Sequence, residues 1–147
     1  MTRVRNQLAA QRRKARHYGV QALYKWHMVG DDPESIVLEF FNDYDFLNTD
    51  VDYFATLLHS IPSQVSELET ILEPILDRKL DELDPIERTL LRLGTFELQN
   101  RPDIPYKVVI SESVSLAKKF GATGSHKYVN GVLDQVARVL RSDELVS

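Results

Sequence analysis

The 147-residue chain contains no cysteine, only six glycines and six prolines, and no long apolar run. Without cysteine it can form no disulfide bond, thiolate metal site or thiol nucleophile. No run approaches the roughly 20 apolar residues that cross a bilayer. The N-terminus also lacks the apolar core of a secretory signal. These absences exclude disulfide-stabilised and membrane-spanning proteins and predict a cytoplasmic location.

The residue patterns of enzyme active sites are missing as well. The four histidines, His17, His27, His59 and His126, are scattered, and no pair has the helical spacing of metal ligands. The sequence has no glycine-rich phosphate loop and no nucleophile elbow. Its carboxylates fall at positions typical of helix caps and solvent-exposed faces. We therefore expect no catalysis, no cofactor and no metal ion.

No stretch alternates apolar and polar residues as a half-buried strand does, whereas helical spacing of apolar residues recurs throughout. The pattern predicts an all-α fold of about seven helices, grouped as three N-terminal and four C-terminal helices with a shared core. We expect a single domain. It would comprise a flexible basic arm over residues 1–11, an N-terminal subdomain over 12–82 and a C-terminal subdomain over 83–141.

Capping residues, prolines and glycines predict most helix boundaries. The first helix should run from about Arg12 to Val29. The predicted starts of later helices are Asp32-Pro33, Thr49, Ser63, Asp84-Pro85 and Ser125, the last as an N-cap. The predicted stops are Ile61-Pro62, Pro74 and Gly121. A short turn or helix is predicted over Ile75–Leu80, and Ser142–Ser147 should fray. Gly94 and Gly131 lie inside helices, where they should permit close helix crossings.

The net charge of −4 conceals a strong asymmetry along the chain. Residues 1–16 contain six cations and no acid. Removing these six from the 18 cations leaves twelve against 22 acids, a balance of −10 for the remainder. A basic arm on an acidic body indicates a polyanionic partner for the arm. The six cations are Arg3, Arg5, Arg12, Arg13, Lys14 and Arg16.

The stretch Ile104–Leu140 predicts two helices joined by a tight loop that contains glycine. Around this loop lie the residues that we call the loop cluster: Lys118, Lys119, Phe120, His126 and Lys127. An aromatic ring beside cations and the amide groups of a helix start suits a nucleic-acid base stacked next to its phosphate. The same residues are equally consistent with Phe120 packing the loop and the lysines complementing the helix dipole.

Acidic residues are concentrated at the end of the predicted N-terminal subdomain, at Glu67, Glu69, Glu73, Asp77, Asp81 and Glu82. Acid-rich helix faces are most often solvated, and the alternative is a docking surface for a basic protein. Tyr24 also leaves two possibilities open, since its ring could stack on a base or lie in the core, and its helical spacing favours the core.

Several motifs resemble those of the bacterial NusB transcription antitermination factors over nearly the whole chain. They are Arg12-Arg13-Lys14-Ala15-Arg16 with Val20-Gln21-Ala22-Leu23-Tyr24, Glu87-Arg88 with Leu90-Leu91-Arg92, Ile104-Pro105-Tyr106-Lys107-Val108-Val109-Ile110, Ala117-Lys118-Lys119-Phe120-Gly121, and Ser125-His126-Lys127-Tyr128-Val129-Asn130-Gly131-Val132-Leu133-Asp134. The last three in combination are the most specific. The middle of the chain, residues 31–82, matches in pattern only.

The resemblance implies an all-helical, two-subdomain protein that binds the single-stranded boxA element of ribosomal RNA leader transcripts. In that family the partner is a small-subunit ribosomal protein, called NusE in this role, within a complex that keeps RNA polymerase elongating. Both monomers and homodimers are consistent with it. The implied RNA-binding residues are Arg12, Arg13, Lys14, Arg16, Tyr24, Lys118, Lys119, Phe120, His126 and Lys127. The candidates for the protein contact are Glu87, Arg92, Asp81 and Glu82.

One departure from the family pattern lies in the loop, which reads Ala122-Thr123-Gly124 where relatives often carry acids. Fewer negative charges beside an RNA surface predict tighter RNA binding than in acidic-loop relatives. The alternative function is a helical protein-docking module with nonspecific RNA affinity, acting in RNA modification or ribosome assembly. A membrane-surface helix is a third possibility, but the arm's helix lacks a polar face of matching charge along Val20–Val29.

Overall fold

The computed structural model describes residues 2–146, and it describes the side chains of residues 3–145. Within this range it contains seven α-helices, one short 3₁₀ helix and no strand. The predicted all-α fold is therefore confirmed. The helices are α1 (Thr2–Val29), α2 (Pro33–Asp43), α3 (Val51–Leu72), α4 (Pro85–Asn100), α5 (Tyr106–Phe120), α6 (Ser125–Leu140) and α7 (Ser142–Val146), and the 3₁₀ helix spans Leu80–Glu82.

The chain forms two compact units, which we call unit 1 (residues 1–63) and unit 2 (residues 64–147). The boundary falls within α3, next to Pro62. The single domain with subdomains over 12–82 and 83–141 stays a prediction. Unit 2 holds α4 to α7, of which α7 lies where the sequence predicted a frayed end.

Helix α1 begins at Thr2, so the predicted start near Arg12 is wrong. Residues 2–11 contain no glycine or proline, and they include alanine, leucine, arginine and glutamine, which favour helices. In unit 1 the Asp50 amide donates to the Gln11 carbonyl oxygen at 3.1 Å, which ties this part of α1 to the turn before α3. Residues 3–10 are exposed. The flexibility of the arm stays a prediction.

Helix α3 is continuous, whereas the sequence predicted a break at Ile61-Pro62 and a new helix from Ser63. Pro62 removes one intrahelical hydrogen bond. However, the apolar stripe continues across it, with Leu58, Ile61, Leu68 and Leu72 all buried. Packing of that stripe outweighs the local break. The helix start is also different, because the Tyr53 amide donates to Asp50 Oδ1 at 3.0 Å, and Thr49 does not provide the cap.

Proline and acid signals predicted the start of α4 correctly. Asp84 caps it by accepting hydrogen bonds from the Ile86 and Glu87 amides at 3.2 and 3.3 Å. At α2 the corresponding Asp32 stands at the cap position but makes no side-chain capping bond. The turn or helix expected over Ile75–Leu80 is displaced, since the 3₁₀ helix lies at Leu80–Glu82.

Helices α4, α5 and α6 pack against one another as the core of unit 2. Gly94 on α4 is where α6 comes close, because a Cβ atom there would lie 2.6 Å from Leu133 Cδ1. The predicted close crossing at Gly94 is confirmed. The same prediction for Gly131 is wrong, since a Cβ atom there would meet nothing within 4 Å.

The C-terminal residues expected to fray form helix α7. Glu144 holds it by accepting a hydrogen bond from the Tyr106 amide at 2.9 Å and one from Arg141 Nη1 at 2.6 Å. The Tyr106 bond, with that of Arg141, lowers the pKa of Glu144. The start of α5 therefore receives its acidic cap from 38 residues away, which no local pattern predicts.

Arg141 is 8% exposed and binds the end of α4 and the segment that follows it. Its guanidinium donates to four backbone carbonyl oxygens at 2.8 to 3.2 Å, those of Glu97, Leu98, Arg101 and Ile104. Carbonyl groups at a helix end need such donors when they are buried. One side chain thus provides hydrogen-bond donors for four carbonyl oxygens in this part of the chain.

Among residues 2–146 no helix is long and apolar enough to cross a membrane. The described side chains also include no group of three or more His, Cys, Asp or Glu residues that could hold a metal ion.

Candidate nucleic-acid interface

The loop between α5 and α6 is short and tightly built. Gly121 has no room for a side chain, since a Cβ atom there would lie 2.7 Å from the Ala117 carbonyl oxygen and 2.9 Å from Ser125 Cβ. Gly124 has φ of 86°, a left-handed conformation that glycine adopts without strain. The two glycines bring the end of α5 and the start of α6 together within unit 2.

The predicted N-cap at Ser125 is wrong, because Gly124 occupies the cap position and Ser125 is the first helical residue. Ser125 is 2% exposed, and its hydroxyl donates to Glu87 Oε2 at 2.8 Å. Glu87, from the first turn of α4, therefore fixes the start of α6. Glu87 is the acidic residue of that first turn, and its carboxylate accepts this bond across unit 2.

The side chains of the loop cluster surround this turn. Lys118, Lys119 and Lys127 are exposed, while Phe120 and His126 are half-buried. Lys119 Nζ lies 5.8 Å from the centre of the Phe120 ring, within the range of a cation–π contact. The structure therefore brings the five predicted residues together at one end of the α5–α6 pair. Their role in RNA binding stays a prediction.

The amide groups of the first turn of α6 differ from what the sequence predicted. The Ser125 amide donates to the Ala122 carbonyl oxygen at 3.0 Å, and the Lys127 amide donates to that of Gly124 at 3.1 Å. Because these two donors are already used within the turn, they do not provide the open anion site expected there. The positive side chains of the loop cluster remain as the predicted anion-binding groups.

Sequence reasoning missed a second aromatic group beside the loop cluster. The Tyr128 hydroxyl donates to Asp77 Oδ1 at 3.1 Å, and the Arg78 guanidinium carbon lies 4.5 Å from the centre of the Tyr128 ring. Burial, together with the Asp77 hydrogen bond, raises the pKa of Tyr128 to about 12. Tyr128 directly follows Lys127, but its partners Asp77 and Arg78 are 51 and 50 residues away in sequence, so no spacing rule connects them.

In unit 1 the predicted RNA-binding residues of α1 differ in exposure. Arg13 and Lys14 are exposed, and Arg12 is half-buried. Arg16 is 3% exposed, and the guanidinium carbons of Arg12 and Arg16 each lie 5.7 Å from the centre of the Tyr53 ring. Arg16 therefore belongs to the packing of α1 and has little surface for a ligand.

Tyr24, the remaining RNA-binding candidate of unit 1, is half-buried, on the same helix α1. Such exposure is compatible with both of the roles that the sequence left open, since part of the ring packs and part faces solvent.

The four candidates for a protein contact also divide by exposure. Asp81 and Glu82 are exposed in the 3₁₀ helix, and Glu87 is half-buried against Ser125. Arg92 is 5% exposed, and its Nη2 lies 2.9 Å from Glu69 Oε2. Because Arg92 is buried and paired, its guanidinium has little surface for a partner. Its predicted role in a protein contact is therefore replaced by a structural role.

The carboxylate of Glu69 forms ion pairs with two arginines of α4. Arg88 Nε and Arg92 Nε donate to Glu69 Oε2 at 2.8 and 3.0 Å. Burial by itself raises the pKa of Glu69, but the Arg88 hydrogen bond and the charge of Arg92 outweigh it, so the pKa is lowered. One member of the predicted acidic surface is thus a paired carboxylate that joins α3 to α4.

Fold and side chains define a small all-helical protein with an exposed basic helix start and a basic, aromatic-containing interhelix loop. The chain belongs to the NusB family, whose family model matches residues 13–138. It is similar to the transcription antitermination protein NusB of Pseudomonas savastanoi pv. phaseolicola, with 50% identity over 93% of this chain and 83% of that protein. The NusB protein of Hahella chejuensis is 48% identical over 92% of this chain and 91% of its own length.

A solved structure supports the same family at the level of the fold. The structure of T. maritima NusB superposes with a TM-score of 0.80 at 28% sequence identity, and the match covers 92% of this chain and 96% of that chain. The resemblance inferred from the sequence motifs is therefore confirmed, and the chain belongs to a family of transcription antitermination proteins and not to a known family of enzymes.

Proposed function

We propose that this protein is a cytoplasmic antitermination factor that binds the boxA element of ribosomal RNA leader transcripts together with the ribosomal protein NusE. In this function it joins the complex that keeps RNA polymerase elongating. The observation that carries the proposal is the loop cluster, in which three exposed lysines and the half-buried ring of Phe120 lie at one end of α5 and α6, with Lys119 Nζ 5.8 Å from the ring centre. Its family membership supplies the biological setting.

The residue types of the loop cluster suit an unpaired strand. Lysine ammonium groups bind phosphates without regard to sequence, and an aromatic ring stacks on any exposed base. Sequence preference in RNA comes from splayed bases whose edges are hydrogen-bonded, which a duplex does not offer in its narrow major groove. The exposed cations of α1, Arg13 and Lys14, would add further phosphate contacts.

The acidic remainder of the chain suits the second partner. Ribosomal proteins are basic, and exposed carboxylates at Asp81 and Glu82 provide a complementary charge in unit 2. Glu87 lies at the start of the next helix, and its carboxylate is already hydrogen-bonded to Ser125. We assign the NusE contact to Asp81, Glu82 and the exposed part of Glu87.

A gel-shift titration tests the proposal most directly. BoxA-like RNA is compared with a scrambled RNA of the same length, each with and without the ribosomal protein, at one salt concentration. We expect preference for the boxA-like strand and a further gain when NusE is present. Equal binding of both RNAs would instead favour the alternative of a protein-docking module with nonspecific RNA affinity.

Phe120→Ala separates stacking from charge. Loss of a stacked base should weaken binding to the single strand by roughly 1–3 kcal/mol. Phe41→Ala is the matched control, because Phe41 is a 39% exposed phenylalanine of α2 in unit 1 and belongs to no predicted contact. Equal losses for Phe120→Ala on duplex and single-stranded RNA would contradict the stacking role.

A further inference from the structure

A groove with both polar and apolar lining runs along α5 and α6 in unit 2 and begins at the loop cluster. It has a volume of about 590 Å³, and it is lined at its near end by Lys118, His126 and Lys127 and at its far end by Tyr106 and Lys107. The motif Ile104-Pro105-Tyr106-Lys107 is among the most specific of this sequence. The residues proposed above for RNA binding nevertheless leave Tyr106 and Lys107 unused.

The charge of the groove suits an extended anion. Lys107 and Lys118 both line it and are exposed. They stand eleven positions apart on α5, which is three helical turns and about 16 Å along the axis. The carboxylate of Asp134 also lines the groove, but its Oδ2 accepts a hydrogen bond from Arg138 Nη2 at 3.2 Å, which offsets its charge.

The far end repeats the residue types of the near end. The half-buried Tyr106 ring is followed by the exposed Lys107, as the half-buried His126 imidazole is followed by the exposed Lys127 at the near end. The Tyr106 amide is bonded to Glu144 Oε1 at 2.9 Å, so side chains and not the helix start provide the contacts here. Between the two ends Ile110 offers apolar surface and Ser111 a hydroxyl group, which together suit a base or ribose.

We propose that this α5–α6 groove binds the nucleotides that flank those held by the loop cluster, so that Lys107 contacts a phosphate and Tyr106 a base. The inference rests on the proposed function, because it extends the same RNA strand. An acidic peptide would satisfy the lysines as well. The groove is continuous with the loop cluster, and a ring lies among cations at both ends: Tyr106 with Lys107, and the His126 imidazole with Lys118 and Lys127. Both features favour the RNA strand.

The experiment compares a short boxA-like RNA with versions lengthened by a few nucleotides at the 5′ or the 3′ end. Affinities are measured for the full chain over a series of salt concentrations. We expect one of the two extensions to increase affinity and to steepen the salt dependence by about 0.7 for each added phosphate contact. Lys107→Ala should abolish that gain and leave the affinity for the short RNA unchanged.

Two further measurements make the result specific. Lys79→Ala is the matched control, because Lys79 is an exposed lysine of unit 2 outside the groove, and this variant should keep the gain. Acylation of lysine amines should be blocked at Lys107 by the extended RNA only, and at Lys118 and Lys127 by both RNAs.

The outcomes separate the two proposals. An extension without any gain, or a gain that Lys107→Ala retains, overturns the groove inference and leaves the proposed function intact, since that function depends on the short RNA. Protection of Lys107 by the ribosomal protein alone also overturns it, since the groove would then hold protein. If the short RNA binds no better than a scrambled strand, the proposed function fails and the groove inference fails with it.

Discussion

Gly124 combines two properties in one residue, the backbone conformation of the loop and the absence of charge beside the lysines. Its φ of 86° means that any side chain adds strain, so a substitution changes both properties together. Asparagine and aspartate tolerate this conformation better than other residues and differ in charge. The pair Gly124→Asp and Gly124→Asn therefore isolates the effect of the charge.

We expect Gly124→Asp to bind boxA-like RNA more weakly than Gly124→Asn at one fixed salt concentration, because a carboxylate there repels phosphate. The difference should shrink as salt is added, since screening weakens the repulsion. Affinities of both variants from gel-shift titrations check this. An affinity for Gly124→Asp equal to or better than that of Gly124→Asn and the wild type would refute the prediction.

Glu69 ties the pH dependence of stability to an ion pair. Its pKa is lowered from 4.5 in the folded chain, so the folded state favours the carboxylate. A lowered pKa means that this stabilisation is fully present above the unfolded value and is lost as the pH falls through the folded value. We expect Glu69→Gln to be less stable at neutral pH and to show a flatter decline below about pH 4.5.

Urea unfolding of wild type and Glu69→Gln at a series of pH values from neutral to acidic tests this. Glu73→Gln is the control, because Glu73 is an exposed acid close by in sequence. An identical slope for the wild type and Glu69→Gln in the acidic range would show that the Arg88 and Arg92 contacts do not stabilise the carboxylate.

At the scale of elements, the two helix-interior glycines predict opposite effects on stability. Alanine is favoured over glycine in a helix by about 1 kcal/mol. At Gly131 nothing lies within 4 Å of a Cβ atom, so Gly131→Ala should be stabilising by about that amount. At Gly94 a Cβ atom would lie 2.6 Å from Cδ1 of the buried Leu133, and overpacking typically costs about 1–3 kcal/mol.

Gly94→Ala should therefore lower the free energy of unfolding and Gly131→Ala should raise it, as measured by urea denaturation. Each variant is the other's control, since both add the same methyl group to a helix of unit 2. A stabilised Gly94→Ala would mean that Leu133 moves aside without loss.

Local signals predicted the elements that depend on local interactions. Asp84-Pro85 begins α4, and Lys118 to Gly121 ends α5, because caps and glycine act within one turn. Pro62 misled the prediction, since packing of the stripe on both sides maintains α3. The Arg141 contacts to carbonyl oxygens and the cap of α5 by Glu144 join residues far apart in sequence, which spacing rules do not connect.

The sequence predicted which residues group together at the candidate site, but it did not predict which of the predicted site residues are buried. The loop cluster lies on one short turn, so spacing was enough to group it. Arg16 and Arg92 were implied by the family resemblance, but a sequence motif does not reveal that a guanidinium packs against Tyr53 or pairs with Glu69. Tyr128 was missed because its partners Asp77 and Arg78 lie on a different segment of unit 2.

For the molecule as a whole, the charge asymmetry makes RNA binding depend on salt. The six cations of residues 1–16 precede a remainder with a balance of −10. We expect Arg13→Ala to weaken binding to every RNA by a similar factor and to reduce the salt slope by about 0.7, the contribution of one phosphate contact to a single strand. Titrations with boxA-like and scrambled RNA over several salt concentrations measure both quantities.

Lys25→Ala is the control for Arg13→Ala, because Lys25 is also a cation of α1, is paired with Glu39 and belongs to no predicted RNA contact. It should change neither the affinity nor the slope. A loss for Arg13→Ala that is confined to boxA-like RNA would contradict the role as a general phosphate contact.

Because the chain has no cysteine, the two predicted RNA-binding regions can each be labelled at a single introduced thiol. Ala10 on α1 and Ala122 in the loop are small and exposed, so cysteines introduced at both would be the only thiols in the chain. Nitroxide spin labels attached to them would report the distance from one region to the other by pulsed electron resonance. If both regions bind the same short RNA, the distance between the labels must not exceed the length of that RNA strand. RNA binding should also narrow the distribution of label-to-label distances.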